Sequence, residues 1–381
     1  MRPVGGGNAV TVWTLQALRG DYDVTLATLD PVNCAALNRS FGTSLSASDF
    51  HVRIAPPAYR RVLRIVPTRG ALVELNLTMR WARELDRLQP FDVLLSLQNE
   101  ADFGRPAIQY IHFPSWYMPR PADELRWFHK IPGVLRAYRR VAFGISGAIP
   151  AAIRHNLSLT NSAFVDGRFH QVHDGPSIIV HPPVPGSFPE IPWERRRDAI
   201  VGIGRLARYK RWGMAVEIVE ALRRRGYGLE LTLIGQAGDA GERAEKCRLE
   251  ALAAKRPWFR ILIDLTREQL AQEVANHRYG IHAMVEEHFG IAVAELQQAG
   301  CVTFVQNSGG PVEIVGNDPR LTFDDVEDGV GKIARALNCG DTQRELRALA
   351  ASRRECFSTE RFCRSMTNAV DNFAHGRVVS G

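Results

Sequence analysis

No run of apolar residues in this 381-residue chain approaches the roughly twenty needed to cross a bilayer, and Met1 is not followed by a secretory signal. Both absences lead to the expectation of a chain that stays in the cytosol. Cysteine is scarce: Cys34, Cys247, Cys301, Cys339, Cys356 and Cys363 show no short paired spacing, so neither a zinc site nor a disulfide framework is indicated. They are expected to be reduced and mostly buried. There is no internal repeat and no low-complexity tract. Three triplets, at Asn38, Asn76 and Asn156, fit the glycosylation-acceptor pattern, but a chain outside the secretory route cannot use them, and they read as chance matches.

What is present is a globular composition, 45% hydrophobic and 23% charged, long enough for two domains. The net charge of +7 points to an anionic partner, and its distribution says more than its sum. Arg53, Arg60, Arg61, Arg64 and Arg69 occur with no acid among them. A second cluster, Arg126, Lys130, Arg136, Arg139 and Arg140, is interleaved with Trp116, Tyr117, Trp127, Phe128 and Tyr138. Such segments suit peripheral contact with an anionic membrane on its cytoplasmic face, or simply a solvated basic surface. No standard nucleic-acid-binding motif is present.

Strand and helix patterns alternate along the chain as in doubly wound parallel sheets. Expected strands are 22–27, 93–97, 108–112, 141–145 and 157–160 in the first half, and 199–203, 229–234, 259–263, 279–285 and 302–306 in the second. Between the halves runs His181-Pro182-Pro183-Val184-Pro185, with Pro189 and Pro192 beyond it. This proline-rich segment can continue neither a helix nor a central strand. The expected division is therefore a first domain over 1–188, a second over 189–358, and a last helix over 359–381.

Residues 285–313 carry the richest pattern. An apolar strand ends near Val285, and helical spacing resumes from Phe289 after a glycine turn. Glu287 then lies in the loop and Glu295 about 12 Å further on, two turns into the helix. That separation argues against a glycosidase pair, whose carboxyl groups lie about 5–9.5 Å apart, and for two separate contacts along an extended ligand. The amides of Phe289, Gly290 and Ile291 at the helix start favour an anion. An ordinary buried helix with Ala292 and Ala294 in its packing face accounts for the same spacing.

Gly202-Ile203-Gly204-Arg205-Leu206-Ala207 is a literal G-x-G-x-x-A after a strand. The helical pattern, however, begins only near Trp212, whereas a dinucleotide loop opens its helix at the glycines. The loop also holds Arg205, Arg208, Lys210 and Arg211. Charge-assisted bonds from Arg205 and Lys210 suit a diphosphate whose negative charge grows as it departs. In the first half, His112 closes an apolar strand, at the carboxyl end where open α/β sheets bind ligands.

Glu287-His288-Phe289-Gly290-Ile291 with Glu295, followed by Asn307-Ser308-Gly309-Gly310-Pro311, resembles the motif of family 4 retaining glycosyltransferases. With His282-Ala283-Met284 it is most similar to the α1,2-mannosyltransferase branch of asparagine-linked glycosylation, which uses GDP-mannose and a lipid-linked oligosaccharide. The resemblance implies a GT-B fold, two Rossmann-like doubly wound parallel-sheet α/β domains facing a cleft. It implies a metal-independent retaining hexosyltransferase with no cofactor, using GDP-mannose or a UDP-sugar as substrate. Arg205 and Lys210 would hold the diphosphate, Glu287 and the Phe289–Ile291 backbone the sugar, and Glu295 the ribose. Glu313 would steady the nucleotide side. His112 would face the sugar, and Gly5, Gly6 and Gly7 would form the loop meeting phosphate or acceptor. Only four residues precede those glycines, so the first strand of the N-terminal domain is expected to be missing. A nucleotide-sugar epimerase, a phosphorolytic enzyme of similar architecture and a non-catalytic sugar-nucleotide-binding module are the alternatives.

Overall fold

The computed structural model describes residues 6–59, 61, 72–115, 131 and 133–377. Gly5, Arg60, Arg64, Arg69, Trp116, Tyr117, Arg126, Trp127, Phe128 and Lys130 lie outside them. The chain divides into two units, residues 1–183 with 359–381, and residues 184–358.

Twelve parallel strands are described: β1 Thr25–Thr28, β2 His51–Ile54, β3 Leu95–Ser96, β4 Ile108–Ile111, β5 Leu157–Thr160, β6 Ser177–Ile179, β7 Arg197–Ile203, β8 Glu230–Gly235, β9 Phe259–Ile263, β10 His277–His282, β11 Val302–Gln306 and β12 Thr322–Phe323. In the second unit they form one sheet, ordered β12-β11-β10-β7-β8-β9. Its central strands are largely buried on both faces, their polar Thr232, His277, His282 and Thr303 included. The intervening helices start where a side chain can cap them. Asp239 with Glu242, and Thr266 with Gln269, form capping boxes at the starts of Ala240–Ala253 and Arg267–Ala275.

In the N-terminal unit the described strands fall into two sheets, β1-β2 and β3-β4-β5-β6. Helix Gly6–Leu18 joins them. Its Val10 and Leu18 pack with Tyr110, Leu159 and the last helix's Phe362, Met366, Ala369 and Val370, while Ala9, Val12 and Leu15 pack with Leu37, Phe41 and Phe50. The last helix, Thr359–Ala374, thus completes the core of the first unit.

Several expectations need correction. Residues 141–145 are not a strand but part of helix Val134–Ser146. There Tyr138, Ala142 and Ile145 recur at helical spacing and pack on Val73 and Leu77, while Val141 stays 64% exposed. A short apolar run cannot by itself distinguish the two structures. The strands β2, β6 and β12 were not anticipated, being two to four residues long with no clear alternation. Of the six cysteines only Cys301 is buried, and burial pushes its thiol up to about 12. Asn76 and Asn156 are buried and hydrogen-bonded within the fold, Asn156 to Ala101, Ala107 and Gln109, which removes both as glycan acceptors in the folded chain. Among the described residues no helix is long and apolar enough to cross a membrane.

His277, at the start of β10, is fully buried, with Nε2 2.9 Å from Thr232 Oγ1 and Nδ1 2.7 Å from the Glu273 carbonyl oxygen. Burial, only partly offset by that carbonyl, pushes its pKa down to about 4. The unfolded chain therefore takes up a proton that the folded chain resists. Stability from neutral His277 is full above the ordinary histidine value of about 6.5 and is lost as pH falls from there through about 4, by about 3 kcal/mol at most. Urea unfolding across that range should show this slope, and His277→Asn should flatten it.

Candidate active site

Three loops meet because β10 pairs with β7 on one side and β11 on the other. Each leaves the carboxyl end of its strand, where parallel sheets present ligand sites. The first follows β7. Gly204 has φ +154°, a short 3₁₀ turn covers Arg208–Lys210, and Arg211 adopts φ +53° before helix Trp212–Arg224 begins. The glycines serve packing: a Cβ at Gly202 would lie 2.6 Å from the buried Trp212 ring. Trp212 Nε1 donates to the Arg205 carbonyl at 2.9 Å, fixing the loop from below. The helix starts eight residues after Gly204, as the sequence indicated, so the G-x-G-x-x-A string does not open a dinucleotide-type helix.

The second loop, 283–290, carries Glu287. Glu286 is held at φ +51° with its N–H donating to Ser308 Oγ at 2.9 Å, and Gly290 turns at φ +101° into helix Ile291–Gln298. The third loop supplies Ser308 and the glycines that let two backbones touch. Gly310 N–H donates to the Glu287 carbonyl at 2.8 Å. A Cβ at Gly309 would lie 2.4 Å from that same oxygen, and one at Gly310 2.6 Å from the His288 carbonyl. The Asn-Ser-Gly-Gly-Pro string is therefore the bed on which the Glu287 loop rests.

Lys210 and Glu287, 77 residues apart in sequence, form an ion pair with side chains 13% and 17% exposed. His282 Nε2 lies 3.3 Å from the same carboxylate oxygen. Burial alone would raise the Glu287 carboxyl, but the His282 ring and the Lys210 ammonium outweigh it and hold it far below the ordinary carboxylate range. Burial lowers the His282 pKa, against the pull of Glu287. Arg205 lies alongside: its guanidinium is 5.4 Å from the Tyr209 ring centre, and the Lys210 ammonium is 5.8 Å from the same centre. Arg205 Nη1 also reaches Glu242 Oε1 at 3.2 Å, and its side chain is 64% exposed. One phenol ring thus spaces two cations, one sheltered and one open to solvent.

Phe289 buries its ring in the core, 5.7 Å from Phe357, so only its backbone can serve a ligand. Among the described residues the amides of Gly290 and Ile291 donate to no protein acceptor. Glu295 is not part of the Lys210 cluster. Its Oε1 takes Arg267, whose guanidinium also donates to the Pro185 carbonyl and lies 5.6 Å over the Phe188 ring. Glu313 lies on the short helix Pro311–Ile314.

His112 and the opening glycines belong to the other unit. Asn99, at φ +66°, accepts from the His112 and Phe113 amides at 2.7 and 3.1 Å. His112 Nε2 is 3.0 Å from the Leu97 carbonyl, which can only accept; in the neutral ring the proton is therefore on Nε2, with Nδ1 left as an acceptor. Burial lowers its pKa and favours that form. Gly6 and Gly7 are the first turn of helix Gly6–Leu18, and a Cβ on Gly7 would come 3.5 Å from His112 Nε2. Sequence reasoning missed Tyr209 and Glu242 as neighbours of the cations. Tyr209 was visible only as the aromatic beside Lys210.

Residues 187–353 match the family model described as glycosyl transferases group 1. That span lies within the C-terminal unit, which is similar to this family. Two curated relatives of this chain are named GDP-Man:Man(3)GlcNAc(2)-PP-Dol alpha-1,2-mannosyltransferase. The protein from Eremothecium gossypii is 25% identical over 170 residues, covering 41% of this chain and 29% of its own length. The human protein is 27% identical over 152 residues, covering 38% and 31%. The chain thus spans about a third or less of these relatives' length. Among solved structures, Anabaena HepE in complex with UDP-glucose superposes with a TM-score of 0.64 at 13% identity, over 98% of each chain. A glycosyltransferase from Rickettsia africae gives 0.62 at 13% identity, over 97% and 95%. The chain therefore has the GT-B fold, two α/β units built on parallel sheets.

Proposed function

We propose that this chain is a retaining glycosyltransferase moving a hexose, mannose favoured, from a nucleotide-diphosphate sugar to a hydroxyl of a glycan or lipid-linked acceptor. One observation carries the proposal: a sheltered lysine-carboxylate pair with a second, exposed cation beside it, at the carboxyl ends of two adjacent parallel strands. A sugar diphosphate is an extended anion with hydroxyls at one end, and it needs both signs of partner along its length. Lys210 and Arg205 suit the diphosphate, whose charge rises as it leaves. Glu287, kept ionised, accepts from sugar hydroxyls, and the Gly290 and Ile291 amides face the same ligand. Glu295 keeps Oε2 outside its Arg267 contact, and that oxygen is assigned to the ribose hydroxyls. From the N-terminal unit, His112 is assigned to the sugar and Gly5, Gly6 and Gly7 to acceptor or phosphate. Two cations on the leaving group make the reaction metal-independent in this reading, with no cofactor. The relatives' printed name supports GDP-mannose over a UDP-sugar as donor.

Peripheral contact with an anionic membrane on its cytoplasmic face belongs to the same proposal. Around helix Val134–Ser146, Val134, Val141 and Ile149 are 39%, 64% and 60% exposed, with Arg140 exposed among them. Apolar side chains beside a cation suit the headgroup boundary.

The test is a thermal-shift screen of GDP-mannose and UDP-sugars, followed by transfer to lipid-linked acceptors. A true donor at a hundred times its Kd adds about 2.7 kcal/mol, a rise of several degrees. Glu287→Gln should abolish both the shift and transfer. A chain that no sugar nucleotide stabilises is not this enzyme, and binding without transfer marks a sugar-nucleotide-binding module instead.

A further inference from the structure

The amino ends of strands β7 and β11 of the six-stranded sheet border a cavity of about 850 Å³ whose lining includes Phe188, Trp193, Arg196, Gly300, Arg347 and Arg354. Arg196 immediately precedes β7 and Gly300 lies just before β11, whereas Arg205 and Glu287 follow β7 and β10. The seven residues of β7 therefore set the two places roughly 20 Å apart. This cavity is a separate place from the Lys210 cluster, built wholly within the C-terminal unit.

Its arginines are fixed without carboxylates. Arg196 donates from Nε to the Ile191 carbonyl at 2.9 Å and from Nη1 to the Ala299 carbonyl at 2.8 Å. Arg354 Nε is 3.4 Å from the Gln297 carbonyl. The Nη2 atoms of both converge on Gly300, each 2.9 Å from where a Cβ would stand. Arg347 lies 4.6 Å over the Trp193 ring. Among the described residues none of these three is ion-paired with a carboxylate. The lining's other charges are Glu190 and Arg344, and Arg344 is already paired with Asp341. Burial, with the charges of Arg354 and Arg347, lowers the Arg196 pKa, as expected where like charges gather without a counter-ion. Carbonyls hold the guanidinium planes while leaving other N–H groups unused, an arrangement suited to the planar recognition of a multivalent oxyanion. The cavity is far larger than one such group, and its Phe188 and Ile191 walls offer room for an attached organic body.

We propose that this pocket binds the phosphate group of a phosphorylated ligand, gripped by Arg196, Arg347 and Arg354, independently of the donor site. The phosphate can belong to a soluble phosphoester or to a lipid headgroup, and the test separates them. The full chain is treated with phenylglyoxal, and modification of each arginine is read by mass spectrometry. One arm adds pyrophosphate; the other adds phosphatidylcholine vesicles with or without phosphatidic acid. Protection of Arg347 and Arg354, with Arg225, exposed and outside the lining, unprotected, supports the site. Pyrophosphate as the protecting agent assigns a soluble ligand, and phosphatidic acid alone assigns a headgroup. In Arg347→Gln, the concentration giving half-protection of Arg354 should rise about tenfold. Unchanged modification of Arg347 and Arg354 in both arms overturns the proposal in the wild-type chain, whether or not the variant folds. So does an unshifted half-protection point in a folded Arg347→Gln.

Discussion

Replacing Lys210 by alanine is expected to lower kcat/KM for the sugar-nucleotide donor by about a hundred- to a thousandfold, the usual consequence of removing one preorganised group from developing charge. The ammonium sits on a 3₁₀ turn fixed by the Trp212–Arg205 contact, so it needs no reorganisation to meet a diphosphate. Its removal also leaves Glu287 without its cation in a mostly buried position, at a cost of roughly 3–5 kcal/mol as for other broken buried pairs. The two effects separate in a double-mutant cycle. Lys210→Ala combined with Glu287→Gln should recover much of the stability, since no charge is stranded, yet no activity. Activity in Lys210→Ala within about threefold of wild type would remove Lys210 from the diphosphate site.

Gly309→Ala is expected to be nearly as damaging without touching a charged group. At φ +81° an alanine costs about 1–2 kcal/mol from backbone sterics alone. Its Cβ would also stand 2.4 Å from the Glu287 carbonyl oxygen and 2.8 Å from the Glu287 nitrogen, backbone atoms that cannot rotate away. Displacing them costs a further 1–3 kcal/mol or so and shifts the residue that pairs with Lys210. Urea unfolding should show a loss of about 3 kcal/mol, and the donor-induced thermal shift should vanish. Gly331→Ala is the control. Nothing lies within 4 Å of a Cβ there, in the helix Val326–Asn338, and that change should stabilise by about 0.5–1 kcal/mol. Equal stabilities for Gly309→Ala and wild type would mean that the glycine loop does not support Glu287.

The pattern of residues made some of this legible and left the rest hidden for definite reasons. Strands β5, β9 and β11 match the sequence reading residue for residue, because each is a short apolar run flanked by turn residues. Helix Trp212–Arg224 was equally plain from its spacing. Helix Val134–Ser146 was misread around 141–145, where the local run looks the same in either conformation and the partner Leu77 is far away in sequence. Lys210, Arg205 and Glu287 stood out as residue types suited to a diphosphate sugar. That Lys210 pairs with Glu287, and that Glu295 turns to Arg267, could not be read from spacing. The glycines of the third loop looked like turn-formers, and only their approach to the Glu287 backbone shows their purpose.

By itself, then, the sequence determined two α/β units, a proline-rich passage between them, and the loops on which acids and cations sit. Periodicity and turn chemistry are local, so they survive translation into structure. The tertiary structure decided which charges meet and in which protonation state. Strand order makes β7 and β10 neighbours, which brings together residues 77 positions apart, and there the His282 ring and the Lys210 ammonium keep Glu287 ionised against its burial. Desolvation and cross-strand adjacency are properties of the packed sheet, and no stretch of the chain carries them alone.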